Sequence, residues 1–134
     1  MLTDEQKETL VQTALDARQW AYAPYSNYPV SAALLTESGK IYDGVNIENA
    51  AYPSAMCAER VAVFKAVSAG EKKFEAIAVV TRDAGSPCGQ CRQVLSEFGL
   101  DTLVLIADGG GKIRREHVLR DFLPDAFGPS NLGR

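Results

Sequence analysis

The chain has 134 residues, 46% of them hydrophobic, and a formal net charge of −3. This length fits one domain with a core large enough to fold without disulfides, so we expect residues 1–134 to form a single domain. The mild negative charge and the scattered basic residues argue against nucleic acid as a partner. No apolar run approaches the roughly 20 residues that a membrane span needs, so no membrane partner is expected.

The N-terminal segment MLTDEQKETL is acidic and lacks the apolar stretch of a signal peptide. A protein without a leader is expected in the cytoplasm, where thiols stay reduced. Its three cysteines, Cys57, Cys88 and Cys91, are therefore expected to be metal ligands or catalytic groups rather than partners in disulfides.

Apolar spacing predicts a helix and then a β-hairpin in the first third of the chain. Thr3 and Gln6 form a capping-box pattern, and the helix that follows should end before Pro24. The segments YPVSAALL and KIYDGVNIE flank a turn around Ser38 and Gly39, which is typical of a hairpin.

Helices and buried strands alternate in the remainder of the chain. A helix is predicted from Cys57 to about Ala69, and GQCRQVLSEF is predicted to be a helix between the buried strands FEAIAVVT and DTLVLIAD. A last short helix is predicted around His117 to Phe122. Two buried strands separated by a helix imply a parallel pair with a right-handed crossover. The sequence therefore predicts an α/β fold, a three-layer α/β/α domain with a mixed, mainly parallel central sheet.

The predicted elements place Cys57 at the start of one helix and Cys88 and Cys91 at the start of the next. Helix N-termini lower the pKa of a thiol, and both starts should lie at the same edge of the sheet. Three thiolates that converge there suit one Zn²⁺ per chain and leave the fourth tetrahedral position for water. A site with one open position has the form of a catalytic site.

Three charged residues beside the cysteines fit such a site. Arg60 and Arg92 can donate hydrogen bonds to thiolate sulfurs and so offset the excess negative charge of three thiolates on one Zn²⁺. An ordinary solvated helix face is the alternative explanation for both arginines. Glu59 can reach a metal-bound water and act as a proton shuttle. From its position alone, the stronger explanation for Glu59 is that it complements the helix dipole.

The combination of CAER with SPCGQCRQV resembles the zinc-dependent nucleoside deaminases. A cysteine at position 57, where many of these enzymes carry His, resembles the small cytidine deaminases of free nucleosides and the related blasticidin deaminases. AYAPYSNYPVSAALL, GVNIENAAYPSAMCAERVAVFKAV and FLPDAFGPSNL resemble cytidine deaminase segments in the same order. The resemblance extends from Tyr22 to Leu132. It implies hydrolytic deamination of cytidine and 2′-deoxycytidine in pyrimidine salvage, with Glu59 as the catalytic residue.

The same resemblance implies how the nucleoside substrate is bound. Asn46 and Glu48 would bind the ribose 3′-hydroxyl side, and the backbone of Ala58 would contact the pyrimidine O2. Tyr28 and Phe127 would surround the base, Phe127 from a neighbouring subunit, since the family is mostly homotetrameric with shared active sites. Without the resemblance, a solvent-facing strand side, a turn aromatic and tail packing would account for the side chains of these residues.

Two departures and two alternatives accompany this interpretation. Ser31 stands where relatives usually have Gly, and Tyr28 replaces a more usual Phe. A blasticidin S-type deaminase is one alternative, against which the segment NIENAAY argues. A non-catalytic zinc module is the other, although a structural site normally closes with four protein ligands. Cytidine and 2′-deoxycytidine share the 3′ side that Asn46 and Glu48 would bind, so these residues do not rank the two nucleosides.

Overall fold

Three α-helices and five β-strands form the fold in a computed structural model that describes residues 1–134. The helices are α1 (Asp4–Ala17), α2 (Ala58–Ser68) and α3 (Gly89–Ser96). The strands are β1 (Ser31–Thr36), β2 (Ile41–Val45), β3 (Phe74–Val80), β4 (Leu103–Ala107) and β5 (Ile113–Val118). None of the helices combines the length and the apolar character that crossing a membrane requires.

The central sheet is mixed, with the strand order β2-β1-β3-β4-β5. Strands β3 and β4, which α3 connects, are parallel, whereas the other three neighbouring pairs are antiparallel. The α/β class, the hairpin of β1 and β2 and the parallel pair are thus confirmed. Parallel pairing does not dominate the sheet, contrary to expectation, because β1 is antiparallel to both of its neighbours, β2 and β3, and β5 is antiparallel to β4.

Residues His117 to Phe122 do not form the predicted helix. His117 belongs to β5, and the 3-10 turn Leu119–Phe122 follows the strand. The segment IRREHV is rich in charge, and its residues Arg114, Arg115 and Glu116 are exposed. An edge strand tolerates such residues because one of its sides faces solvent, so the strand has no apolar signature. Backbone pairing with β4 is what makes it a strand.

The helices cover the two faces of the sheet, which confirms the three-layer arrangement. Helix α1 packs on one face, where its buried residues Leu10, Val11 and Ala14 meet side chains from β1, β3 and β4. Helices α2 and α3 pack on the other face, through Ala58, Ala62, Ala66 and Leu95 among others. Successive residues of β1 point to opposite faces of the sheet, since Ala32 and Leu34 belong to one core cluster and Ala33 to the other.

Helix α2 lies directly on β2 at Gly44. A Cβ on Gly44 would stand 2.4 Å from the carbonyl oxygen of Ala58 and 2.6 Å from the backbone nitrogen of Ala62. Only a residue without a side chain permits this contact. Gly44 therefore sets the position of the first turn of α2, which follows Cys57 and contains Glu59.

Ser31 is fully buried in β1, and its hydroxyl has no hydrogen-bond partner. An unpaired buried hydroxyl costs about 1–3 kcal/mol, so Ser31→Ala is expected to raise the free energy of unfolding by about 1 kcal/mol. Urea denaturation measures the change. Thr36→Val is the matched control, since the buried Thr36 hydroxyl lies 3.1 Å from both the Lys40 carbonyl and a Glu71 carboxylate oxygen. The control should lose stability, and a Ser31→Ala protein no more stable than the parent would contradict the prediction.

Candidate metal centre and active site

The sulfurs of Cys57, Cys88 and Cys91 lie together at the N-terminal ends of two helices. Cys57 is the N-cap of α2, Cys88 is the N-cap of α3, and Cys91 is in the first turn of α3. The Sγ atom of Cys88 is 3.4 Å from that of Cys91 and 3.9 Å from that of Cys57. All three sulfurs lie within 4.8 Å of one another. The predicted convergence of the three thiols is confirmed.

These separations fit a tetrahedral zinc site. Zn–S bonds of about 2.3 Å at tetrahedral angles place two sulfurs about 3.8 Å apart. The separations of 3.4 and 3.9 Å lie on either side of that distance, and no disulfide joins the cysteines. The three sulfurs can therefore hold one zinc ion and leave its fourth position to a ligand that is not protein.

Hydrogen bonding lowers the pKa of the Cys57 thiol to about 5. The largest contribution is a hydrogen bond from the Cys91 thiol, and the Arg60 guanidinium adds another, with Nη2 at 3.2 Å from the Cys57 Sγ. The pKa of Cys91 is raised because its proton is held by the Cys57 sulfur and because the thiol is buried. The lowered pKa favours the thiolate form of Cys57, which is the form that binds a metal ion.

Arg60 and Arg92, which were both expected to donate hydrogen bonds to thiolates, have different acceptors in the structure. Arg60 donates to Cys57 as expected, whereas the donors of Arg92 are directed to backbone carbonyls. Arg92 Nε donates to the Pro87 carbonyl at 2.9 Å, and Arg92 Nη1 to the Phe122 carbonyl at 3.0 Å. The expected hydrogen bond from Arg92 to sulfur is therefore not formed. Arg92 instead ties the segment before α3 to the C-terminal part of the chain.

Glu59 is buried in the first turn of α2, with 4% of its surface exposed. Burial raises the pKa of its carboxyl to about 7, and the negative charge of Cys57 adds to the effect. A carboxyl that titrates near neutrality can accept a proton and return it, which is what a single acid–base group must do.

A cavity of about 530 Å³, called the site cavity below, opens beside Cys57 and Glu59. Its lining includes four of the five predicted substrate-binding residues, Asn46, Glu48, Ala58 and Tyr28. A larger groove of about 820 Å³, along α2 and β2, contains none of the predicted site residues. The volume of the site cavity is within the range of small-molecule sites.

Phe127 does not line the site cavity of its own chain. Its side chain is 58% exposed, and its carbonyl accepts a hydrogen bond of 2.9 Å from Gln93 Nε2. Within one chain, the structure therefore separates Phe127 from the other residues predicted to bind substrate.

Asn46 and Glu48 hold the chain segment that carries Tyr28. Asn46 Nδ2 donates to the Tyr28 carbonyl at 2.9 Å, and its Oδ1 accepts from the Val30 N–H at 3.0 Å. Glu48 accepts hydrogen bonds from the hydroxyl and the N–H of Ser26, and the hydroxyl is the main reason that the pKa of this carboxyl is lowered. An ionised Glu48 thus lines the site cavity and also shapes its wall.

Sequence reasoning missed several cavity residues. Tyr52, Thr81, Ser86 and Gln90 line the site cavity. Two features of the sequence could have placed Gln90 and Thr81 at the site. Gln90 lies between two predicted metal ligands, and Thr81 directly follows β3, where α/β proteins place ligand-binding residues.

Comparison with known proteins agrees with the geometry. Residues 4–107 match the family model described as the cytidine and deoxycytidylate deaminase zinc-binding region. The cytidine deaminase of Sporosarcina psychrophila is 48% identical over 128 residues, which cover 93% of each chain. That of Halalkalibacterium halodurans is 45% identical over 124 residues, covering 90% of this chain and 93% of the relative.

Solved structures agree as well. The crystal structure of cytidine deaminase from Burkholderia pseudomallei aligns with a TM-score of 0.85 at 45% identity. The alignment covers 94% of this chain and 100% of that chain. The resemblance found in the motifs is confirmed, and the chain belongs to the cytidine and deoxycytidylate deaminase family.

Proposed function

We propose that residues 1–134 form one zinc-dependent deaminase domain that hydrolyses cytidine and 2′-deoxycytidine to uridine and 2′-deoxyuridine in pyrimidine salvage. The observation that carries the proposal is the position of Glu59. Its buried carboxyl has a pKa of about 7, is close to three convergent thiols and lines the site cavity. Relatives that share 48% and 45% of their residues with this chain are cytidine deaminases.

The charges of the site cavity favour a nucleoside over a nucleotide. Its charged lining residues are Glu48, Glu59 and Arg60. The single cation, Arg60, already donates to the Cys57 sulfur. A substrate phosphate would therefore meet two carboxylates and no free cation of this chain, whereas phosphate recognition relies on such cations. Free nucleosides are the substrate class that this lining supports.

The chemistry proposed for the site depends on a single carboxyl. Bound to Cys57, Cys88 and Cys91, a zinc ion would supply Lewis acidity that lowers the pKa of a water ligand towards about 7. Glu59 accepts a proton from the attacking water and delivers it to the ring N3, while the remaining hydroxide oxygen adds to C4. The same carboxyl then takes the proton of the new C4 hydroxyl and gives it to the exocyclic amine, so that the C4–N bond breaks and ammonia leaves. One group that alternates between acid and base needs no second carboxylate.

The other lining residues would orient the nucleoside. Ala58 is the first residue of α2, so its N–H has no partner within the helix and can donate to the pyrimidine O2. Asn46 and Glu48 offer an amide and a carboxylate to the 3′-hydroxyl of the ribose. The ring of Tyr28 offers an aromatic face to the base.

A homotetramer with shared active sites is part of this proposal, as is a cytoplasmic location, where the free thiols would stay reduced. The exposed side chain of Phe127 supports sharing, because it lies outside the cavity of its own chain and is free to enter that of a neighbour. Light scattering of the purified protein measures the assembly. A monomer with full activity would contradict shared sites.

Ultraviolet-monitored turnover by the purified protein, with zinc quantified in the same sample, tests the function. We expect conversion of cytidine and 2′-deoxycytidine, one zinc per chain and at most weak conversion of deoxycytidylate. Zinc without conversion of either nucleoside would favour a non-catalytic zinc module. Turnover of blasticidin S in place of cytidine would overturn the substrate assignment.

A further inference from the structure

The hydroxyl of Tyr28 is bound by the loop that leads from β3 to the cysteines of α3. It donates to Asp83 Oδ1 at 2.5 Å, and Thr81 Oγ1 lies 3.3 Å from the same oxygen. Burial and this hydrogen bond raise the pKa of Tyr28, so the hydroxyl stays a donor. The same hydrogen bond is the main reason that the pKa of Asp83 is lowered, so the acceptor stays ionised.

The loop is shaped to receive this hydroxyl. A Cβ on Gly85 would stand 2.7 Å from the Tyr28 hydroxyl oxygen, so only glycine leaves the space that the hydroxyl occupies. The Gly85 N–H donates to Thr81 Oγ1 at 2.6 Å. Ala84 has a φ of 57°, in the left-handed region that alanine disfavours. The backbone is thus strained where it closes around the hydroxyl.

Two arginines hold the same loop from either side. Arg82 Nη1 donates to the Asn27 carbonyl at 2.9 Å, and its guanidinium carbon is 4.8 Å from the centre of the Tyr28 ring. Arg115, on β5, donates to the Ala84 carbonyl at 2.7 Å. Residues 24–30 and residues 81–88, two segments that both contribute to the site cavity, are therefore joined through side chains.

We infer that Asp83 is a positioning residue of the deaminase, which together with the Tyr28 hydroxyl fixes the Tyr28 ring in the wall of the site cavity. This Tyr28–Asp83 latch rests on the proposed function, because the ring matters only if a base packs against it. When the wall of the site cavity is ordered before substrate binds, less conformational entropy is lost on binding. The latch therefore acts on substrate binding, and its loss raises KM while kcat is maintained.

The test compares Tyr28→Phe, Asp83→Ala and the double variant in cytidine turnover. Each single variant should raise KM about fivefold, the factor that corresponds to one hydrogen bond, with kcat within about twofold of the parent. The double variant should have a KM no higher than either single variant, because both changes remove the same interaction. Asp83→Asn keeps an acceptor oxygen and should recover most of the parent KM.

Tyr42→Phe is the matched control. Its hydroxyl donates to the Glu71 carboxylate at 3.1 Å, outside the site cavity, so its loss should leave KM unchanged. Unchanged KM in Tyr28→Phe, or effects that multiply in the double variant, would overturn the inference.

Amide hydrogen exchange provides a readout that needs no turnover. The N–H groups of Ala84 and Gly85 bond to Thr81, and they should exchange faster in Tyr28→Phe than in the parent. Exchange at the parent rate would overturn the latch even in a protein that does not convert cytidine. A parent without cytidine turnover, by contrast, would overturn the proposed function, and the exchange rates would still decide whether the latch exists.

Discussion

Glu59→Gln is expected to bind one zinc per chain and to lose cytidine turnover by a factor of about 10²–10⁴, the contribution of a positioned acid–base group. The amide has nearly the shape of the carboxyl but cannot accept a proton from water or pass one to N3 and the amine. The three predicted metal ligands are cysteines, and Glu59 is not among them, so the Glu59→Gln protein should retain its zinc. Turnover and zinc content, measured on the same preparation, distinguish a role of Glu59 in proton transfer from a role in holding the metal.

Glu75→Gln is the matched control for this result. Glu75 is an exposed carboxylate on β3 that lies outside the site cavity, so the same chemical change should leave turnover and zinc content at the parent level. Normal turnover in Glu59→Gln would refute the proton-transfer role. Loss of zinc in Glu59→Gln would mean that the carboxyl maintains the metal centre rather than moving protons.

Gly44→Ala is expected to lower the free energy of unfolding by about 3 kcal/mol, the upper part of the range for overpacking a core. The added Cβ would meet the backbone of α2 at 2.4 and 2.6 Å, and a helix backbone cannot turn away as a flexible side chain does. Helix α2 must then move off β2 and carry Cys57 and Glu59 with it. A shift of about 1 Å at reacting groups costs about 10²-fold in rate.

Urea denaturation, zinc competition and turnover together measure this effect. Asp43→Ala is the control from the same strand, since Asp43 forms an exposed ion pair with Lys65 at 2.6 Å. Such a pair contributes at most about 1 kcal/mol, so the control should keep its zinc and its activity. Parent-like stability of Gly44→Ala would show that β2 and α2 can separate at no cost, contrary to the packing described.

Much of the metal centre was predictable because its determinants are local. Cys88 and Cys91 are three residues apart at the start of one helix, and Cys57 and Glu59 are two apart at the start of another, so the helix start alone brings each pair to one end. Strands β2 and β3 are both antiparallel to β1 and so run in the same direction, which places the starts of α2 and α3, each following one of these strands, at one sheet edge. Periodicity predicted those helices and strands because apolar side chains had to face a core.

Other features depend on partners far away in the sequence. The charged strand β5 has no apolar pattern, and its pairing with β4 decides its conformation. The donors of Arg92 are taken by the carbonyls of Pro87 and Phe122, which no helical spacing foretells. Ser31 was noticed only as a departure from a family pattern, and the structure is what shows its hydroxyl to be buried and unpaired.

The sequence by itself determined the three thiols, the neighbouring carboxyl, the helices that present them and the family to which the chain belongs. Only the tertiary structure decided the contact of α2 with Gly44 and the hydrogen bond between Tyr28 and Asp83, which are 55 residues apart in the sequence. It also decided that Phe127 does not line the site cavity of its own chain. The reason is physical. Capping and periodicity act within a few residues, whereas hydrogen bonds across loops and close backbone contacts exist only after the chain has folded.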